Sequence, residues 1–245
     1  MTGIYRLAEK NVEIFSLHSE VHTLCGSYQA DPGCVSSFRV ETCQTDIDFE
    51  REKVPSANAG EGILSSQYTD GFLETVAVHR KIAEQMPFFD VVLFHGSAVA
   101  VDGAAYVFAA LSGTGKSTHA RLWRELLGER AVMVNDDKPF LRVAEDGGGI
   151  VYGSPWDGKH RLSNNIAVPL RAVCLLERAP ENRIERITKA EALPRLLLQV
   201  YRPYDPVAME KTLTLLDRLA AAFYRLHCNM DLSAAELSYS VMRGG

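Results

Sequence analysis

The sequence predicts an α/β fold with α+β elements, a nucleotide-binding core preceded by a smaller β-rich region. Three observations carry this expectation. Ala105 to Ala110 is a short apolar run of strand type. Residues 111–118 read Leu-Ser-Gly-Thr-Gly-Lys-Ser-Thr. Beyond them Ala120, Leu122, Trp123, Leu126 and Leu127 recur at helical spacing, with Gly128 as a stop. Strand, glycine-rich loop and helix in that order are the sequence form of a phosphate-binding loop. Glycines let several N–H groups converge on one anion, Lys116 adds a point charge, and the Ser117 hydroxyl is a Mg²⁺ ligand. Ser112, Gly113, Thr114, Gly115, Lys116, Ser117 and Thr118 are therefore the candidate nucleotide-binding residues. One departure from G-x-x-x-x-G-K-[ST] stands at its first position, which is Ala110.

The remaining elements follow in order. Val12 to Ser16 and Ser37 to Val40 are β-type runs separated by Asp31-Pro32-Gly33. Residues 51–68 are polar and loop-like, and residues 71–86 form a helix that ends at Pro87. Val91 to Phe94 is an apolar strand, and Asp102-Gly103 is a hairpin turn into the strand before the loop. Strands are expected at Ala131 to Val134, Phe140 to Val143 and residues 170–177, with a turn at residues 146–149. Helices are expected at about 189–200 and 205–226, the latter opened by Asp205-Pro206. Ser233 with Glu236 predicts a capping box for a last helix. The expected division is a β-rich region over 1–87 and a core over 88–245.

At 245 residues with 47% hydrophobic composition, the chain is long enough to bury a sizeable core. A net charge of −5 without a Lys/Arg block argues against nucleic-acid binding. No 18-residue apolar run and no signal-type leader are visible, which leads to the expectation of a soluble, cytoplasmic protein without a membrane partner. Cys25, Cys34 and Cys43 are evenly spaced but lack the tight pairs of metal sites, so coincidence in a reducing compartment is the better reading.

The second half of the site is Asn135-Asp136-Asp137, at the end of a strand and 19 residues after Ser117. A carboxylate is needed there to hold Mg²⁺ opposite the loop hydroxyl, and a second can accept a proton from an acceptor hydroxyl. Adjacent acids on a strand point to opposite faces, so the strand has to end at Asn135 for both to serve. His95, after four apolar residues, reads locally as a core histidine. Residues 152–161 form a Gly/Pro-bounded loop in which Lys159 and Arg161 are candidate cations for the transferring group, a solvated basic loop being the alternative.

From His95 to Asp137 the chain resembles the core shared by phosphoenolpyruvate carboxykinases and bacterial HPr kinase/phosphorylases. The matching strings are His95-Gly96-Ser97-Ala98, Leu111 to Lys116, and Asn135-Asp136-Asp137. The resemblance implies an HPr kinase/carboxykinase-type P-loop core, with His95 and Asp136 as catalytic or metal residues and Asp137 as a ligand of the nucleotide metal. It also implies a second divalent metal such as Mn²⁺ near His95, and a phosphate contact from Arg161 or Lys159. It spans about residues 90–145. The chain is too short for a carboxykinase substrate domain, and the signature loop that follows the acidic pair in HPr kinases is absent.

Residues and resemblance together lead to an ATP-dependent kinase using Mg²⁺ and acting on a hydroxyl of a small molecule, peptide or protein. In this reading Asp136 is the base, and Lys116 with Lys159 or Arg161 balances charge. A carboxykinase-type phosphotransferase and a nucleotide-binding regulator with little turnover are the alternatives. Related kinases assemble, which leaves a homo-oligomer open.

Overall fold

Asp102 and Gly103 both take positive φ, 51° and 81°, as a two-residue hairpin turn requires. They close strand β5 (Ser97–Val101) onto β6 (Ala104–Ala109), with Val101 opposite Ala104 and Ser97 opposite Phe108. The computed structural model describes residues 1–57, 68–158 and 160–244, and its contacts divide the chain into Met1–Gln85 and Met86–Gly245. No helix among the described residues is long and apolar enough to cross a membrane.

In the first unit β1 (Thr2–Leu7) and β2 (Lys10–Phe15) form an antiparallel hairpin, and β3 (Phe38–Glu41) joins β2 in parallel. The expected β-rich region is more helical than extended. It also holds α1 (Ser19–Leu24), α2 (Gln44–Ala57) and α3 (Asp70–Gln85). Helix α2 corrects the expected loop over 51–68 up to Ala57; residues 58–67 of that stretch lie outside the described residues. Its strongly polar composition gives no apolar stripe to read. Leu7, Ile14, Val21, Ile47 and Ile82 are fully buried in this unit. Glu74 is buried with them, its carboxylate accepting from Leu17 N–H, His18 N–H and the Thr42 hydroxyl. Those bonds offset the cost of burying a charge.

The second unit is a nine-stranded sheet built around the long strand β10 (Ala167–Arg178). Its first residues pair antiparallel with β9 (Gly149–Tyr152), which continues to β8 (Phe140–Val143) and β4 (Val91–Leu93). Its later residues lie parallel to β6 and to β12 (Ala222–Cys228), with β11 (Arg183–Ile187) antiparallel to β12. Strand β7 (Ala131–Asn135) pairs with β5 on the side away from β6. Helix α4 (Lys116–Leu127) ends at Gly128 with φ 58°, as expected. Trp123 of α4 is fully buried against Tyr106 and Phe108.

Two expectations are corrected here. The helix expected over 205–226 stops early: α6 is Pro206–Arg218, opened by Asp205 as foreseen, and β12 begins at Ala222. The alanines 220–222 favour a helix locally, but the chain pairs with β10 from Ala222 and with β11 from Phe223, and this pairing decides the outcome. The last helix, α7 (Leu232–Met242), starts after Asp231, so Ser233 sits inside it and accepts from Asn182 Nδ2 instead of forming a capping box. The capping box belongs to α5 (Lys189–Gln199), where Thr188 and Glu191 bond reciprocally.

Candidate functional site

The sheet register gathers three chain segments at one end. Ser97 begins β5 opposite Phe108 near the end of β6, and Ala98 faces Asn135 at the end of β7. The 111–115 loop leaves β6 there, the acidic pair follows β7, and His95 precedes β5.

In the loop, Gly113 and Gly115 have φ of 74° and 123°, and nothing stands within 4 Å of where a Cβ would be. Only glycine takes such angles without strain, and the open space beside the backbone is a cradle. The first N–H groups of α4 have no intrahelical acceptor and carry the positive end of its dipole. Together these features fit a polyphosphate. Lys116 is buried and its Nζ donates to Ala110 O at 3.0 Å. Burial lowers its pKa, against the pull of Asp137.

Strand β7 ends at Asn135, as the acidic pair requires. Asn135 is fully buried, and its Oδ1 accepts from the N–H of Asp137 at 2.8 Å and of Lys138 at 2.6 Å. Its Nδ2 donates to Ser154 O at 3.1 Å. These bonds fix the backbone at the acidic pair. Asp136 is buried, and Ser97 Oγ donates to its Oδ1 at 2.9 Å. The nearby Ser117 hydroxyl also favours its charged form, and burial raises its pKa despite both hydroxyls. Asp137 is half-buried; its Oδ1 lies 3.4 Å from His95 Nε2 and 3.6 Å from Lys138 Nζ. Burial, then the charges of Lys138 and Lys116, lowers the His95 pKa to about 4, so its imidazole is neutral at pH 7.

The structure thus places Lys116, Ser117, Asp136, Asp137 and His95 together, while Ser112 and Thr114 stay in the loop and Thr118 continues α4. The Arg161 guanidinium is exposed and faces Asp157 at 3.9 Å. Lys159 lies outside the described residues. The neighbouring His160 acts on Asp136 electrostatically, and Gly158 lies so close that a Cβ there would sit 3.2 Å from the Asp137 Cβ. Among the described residues no three His, Cys, Asp or Glu side chains converge on a metal position. Ser117 with Asp136 fits a Mg²⁺ bound jointly with phosphate oxygens.

Several neighbours escaped the sequence reading. Ser97, Lys138 and His160 touch or act on the acidic pair. Arg178, at the end of β10, donates from Nε to Thr114 O at 3.1 Å and from Nη2 to Gly113 O. Gln199, at the end of α5, accepts from His95 N–H at 2.6 Å through its backbone carbonyl. A cavity of about 320 Å³ opens against Leu111 to Thr114, flanked by Arg178 and Arg195. Of these, only Ser97 and His160 lay in strings already singled out.

No family model matches the chain, and no curated protein does. Among solved structures, the chain is similar to the Hpr(Ser) kinase/phosphatase from Coxiella burnetii, with 11% identity and a TM-score of 0.38, over 62% of this chain and 94% of that one.

Proposed function

We propose that this chain is an ATP-dependent kinase that transfers the γ-phosphoryl group to a hydroxyl of a small molecule, peptide or protein. The observation that carries the reading is the division of the acidic pair. Asp136 turns to the hydroxyl of Ser117 at the start of α4, and Asp137 turns to a neutral His95.

In this reading the 111–115 loop and Lys116 bind the triphosphate. Ser117 and Asp136 hold Mg²⁺, which when bound offsets the charge that develops on the phosphate oxygens. The expected roles of the two acids therefore exchange. Asp136 is buried, bonded to the Ser97 hydroxyl and stabilised by that of Ser117, which suits a fixed ligand. Asp137 is more open and takes the proton of the acceptor hydroxyl. The acceptor oxygen bonds to the γ-phosphorus as the bond to the β–γ bridging oxygen breaks, and ADP leaves. His95 stands beside Asp137 to orient it, and Lys138 tempers its charge. Positioning and charge stabilisation carry most of such a reaction.

The test is transfer of label from γ-labelled ATP to pools of hydroxyl metabolites and peptides. Acceptor-dependent labelling that is lost in Lys116→Ala supports the kinase. ATP binding without transfer to any pool favours a nucleotide-binding regulator.

A further inference from the structure

Helix α5 ends against the segment that leads into β5. Tyr201 N–H donates to Leu93 O at 2.9 Å, and His95 N–H donates to the main-chain carbonyl of Gln199 at 2.6 Å. On its other side the same segment is joined to the acidic pair. Phe94 N–H donates to Pro139 O at 3.0 Å, and Gly96 N–H donates to Asp137 O at 3.1 Å. Residues 94–97 thus lie between the end of α5 and residues 136–139. Gly96 fits there because it has no side chain: a Cβ would stand 2.9 Å from Phe108 O.

The side chain of Gln199 is 5% exposed, and the transfer step described above makes no use of it. Its amide lies between two main-chain carbonyls, so it is the nitrogen that faces them. That nitrogen donates to Ala110 O at 2.9 Å and to His95 O at 3.2 Å. Ala110 O, at the entry to the glycine loop, also accepts from Lys116 Nζ at 3.0 Å. The peptide between His95 and Gly96 is trans and planar, so its C=O and N–H point in opposite directions. Holding that carbonyl on Gln199 therefore aims the Gly96 N–H at Asp137 O. One amide sets the loop entry, the His95 main chain and the backbone of Asp137 in a single frame.

We infer that Gln199 is a positioning residue for phosphoryl transfer, holding Asp137 in place against the phosphate loop through the peptide between His95 and Gly96. The inference rests on the kinase reading with Asp137 as the base, and adds the residue that fixes that base relative to the bound phosphates. A reacting group displaced by about 1 Å costs up to about a hundredfold in rate. The test measures transfer of label from γ-labelled ATP to water and to the acceptor pools, with Mg-ATP binding read by calorimetry. The variants are Gln199→Met and Gln199→Asn, each alone and combined with Asp137→Asn. Methionine keeps the length without the N–H groups. Asparagine keeps the amide but is one carbon too short, and it carries the test if the methionine variant does not fold. The expected result is a kcat lower by roughly tenfold or more, with ATP affinity within about threefold of the wild type. Added to Asp137→Asn, which has already lost the base, either change should lower kcat by no more than about twofold. A role in the fold alone would slow both backgrounds equally. Unchanged kcat in the folded variants, ATP binding weakened as much as kcat, or equal losses in both backgrounds overturns this inference and leaves the kinase reading intact. A wild type that transfers no label to water or to any pool overturns the kinase reading, and this inference with it.

Discussion

Ser97 and Asp136 are joined across the sheet. The Ser97 hydroxyl lies 2.9 Å from Asp136 Oδ1 and 3.1 Å from Asp136 O, with both residues buried. A carboxylate in that setting depends on its donors. Ser97→Ala leaves it one fewer, and the expected loss of stability is about 1–3 kcal/mol. Urea unfolding of the variant beside the wild type checks this; an unchanged midpoint would mean that Ser97 contributes nothing to holding Asp136.

Arg178 braces the glycine loop from outside through the carbonyls of Gly113 and Thr114. Holding those carbonyls outward keeps the loop's N–H groups free to face an anion. Arg178→Ala should weaken tripolyphosphate binding by roughly tenfold, since one bond to a charged donor is worth about a factor of ten. Arg178→Lys should recover little of it, because an ammonium does not reproduce the guanidinium fork. Titration calorimetry reads both variants.

Asn135 holds the acidic pair by accepting two consecutive backbone N–H groups while donating to Ser154. Asn135→Leu keeps much of the side-chain volume but strands those buried groups. The expected cost is about 2–4 kcal/mol, seen as a lower urea midpoint, with loss of any transfer activity.

The comparison of sequence and structure separates local from distant causes. The Asp102-Gly103 turn was legible because two residues with positive φ dictate a hairpin on their own. The strand, loop and start of α4 were legible for the same reason: glycine placement and apolar spacing are local. Strand β12 was not, because its pairing with β10 and β11, both distant in sequence, decides its conformation. Helix α2 was not, because its few apolar residues, Ile47, Phe49 and Val54, are too sparse to mark a continuous helical stripe. At the site, the acidic pair and His95 could be named, but the contact of Ser97 with Asp136 could not. That contact crosses 39 positions of sequence. Arg178 and Gln199 sit in strand and helix ends with no motif around them, so only the fold brings them in.

Cys25 supplies a pH dependence. Burial pushes its thiol up to about 12 from 9.0. A folded-state pKa above the unfolded one gives stability that is present below pH 9 and lost as pH rises toward 12. Between pH 8 and 10 this amounts to about 1.4 kcal/mol. Urea midpoints of the wild type should fall over that interval more steeply than those of Cys25→Ala. Equal slopes would mean that the thiol is not sheltered as the structure places it.

The most direct measurement of the account is Mg-ATP binding and γ-phosphoryl transfer in Asp136→Asn and Asp137→Asn, measured side by side. The account predicts that Asp136→Asn loses the Mg²⁺ dependence of ATP binding, by at least tenfold. It predicts that Asp137→Asn still binds Mg-ATP within about threefold of the wild type but transfers at least a hundredfold more slowly, as loss of a general base entails. The opposite pattern, Mg²⁺ dependence lost in Asp137→Asn and kept in Asp136→Asn, would contradict the assigned roles. Wild-type protein that binds no ATP at all would contradict the kinase itself.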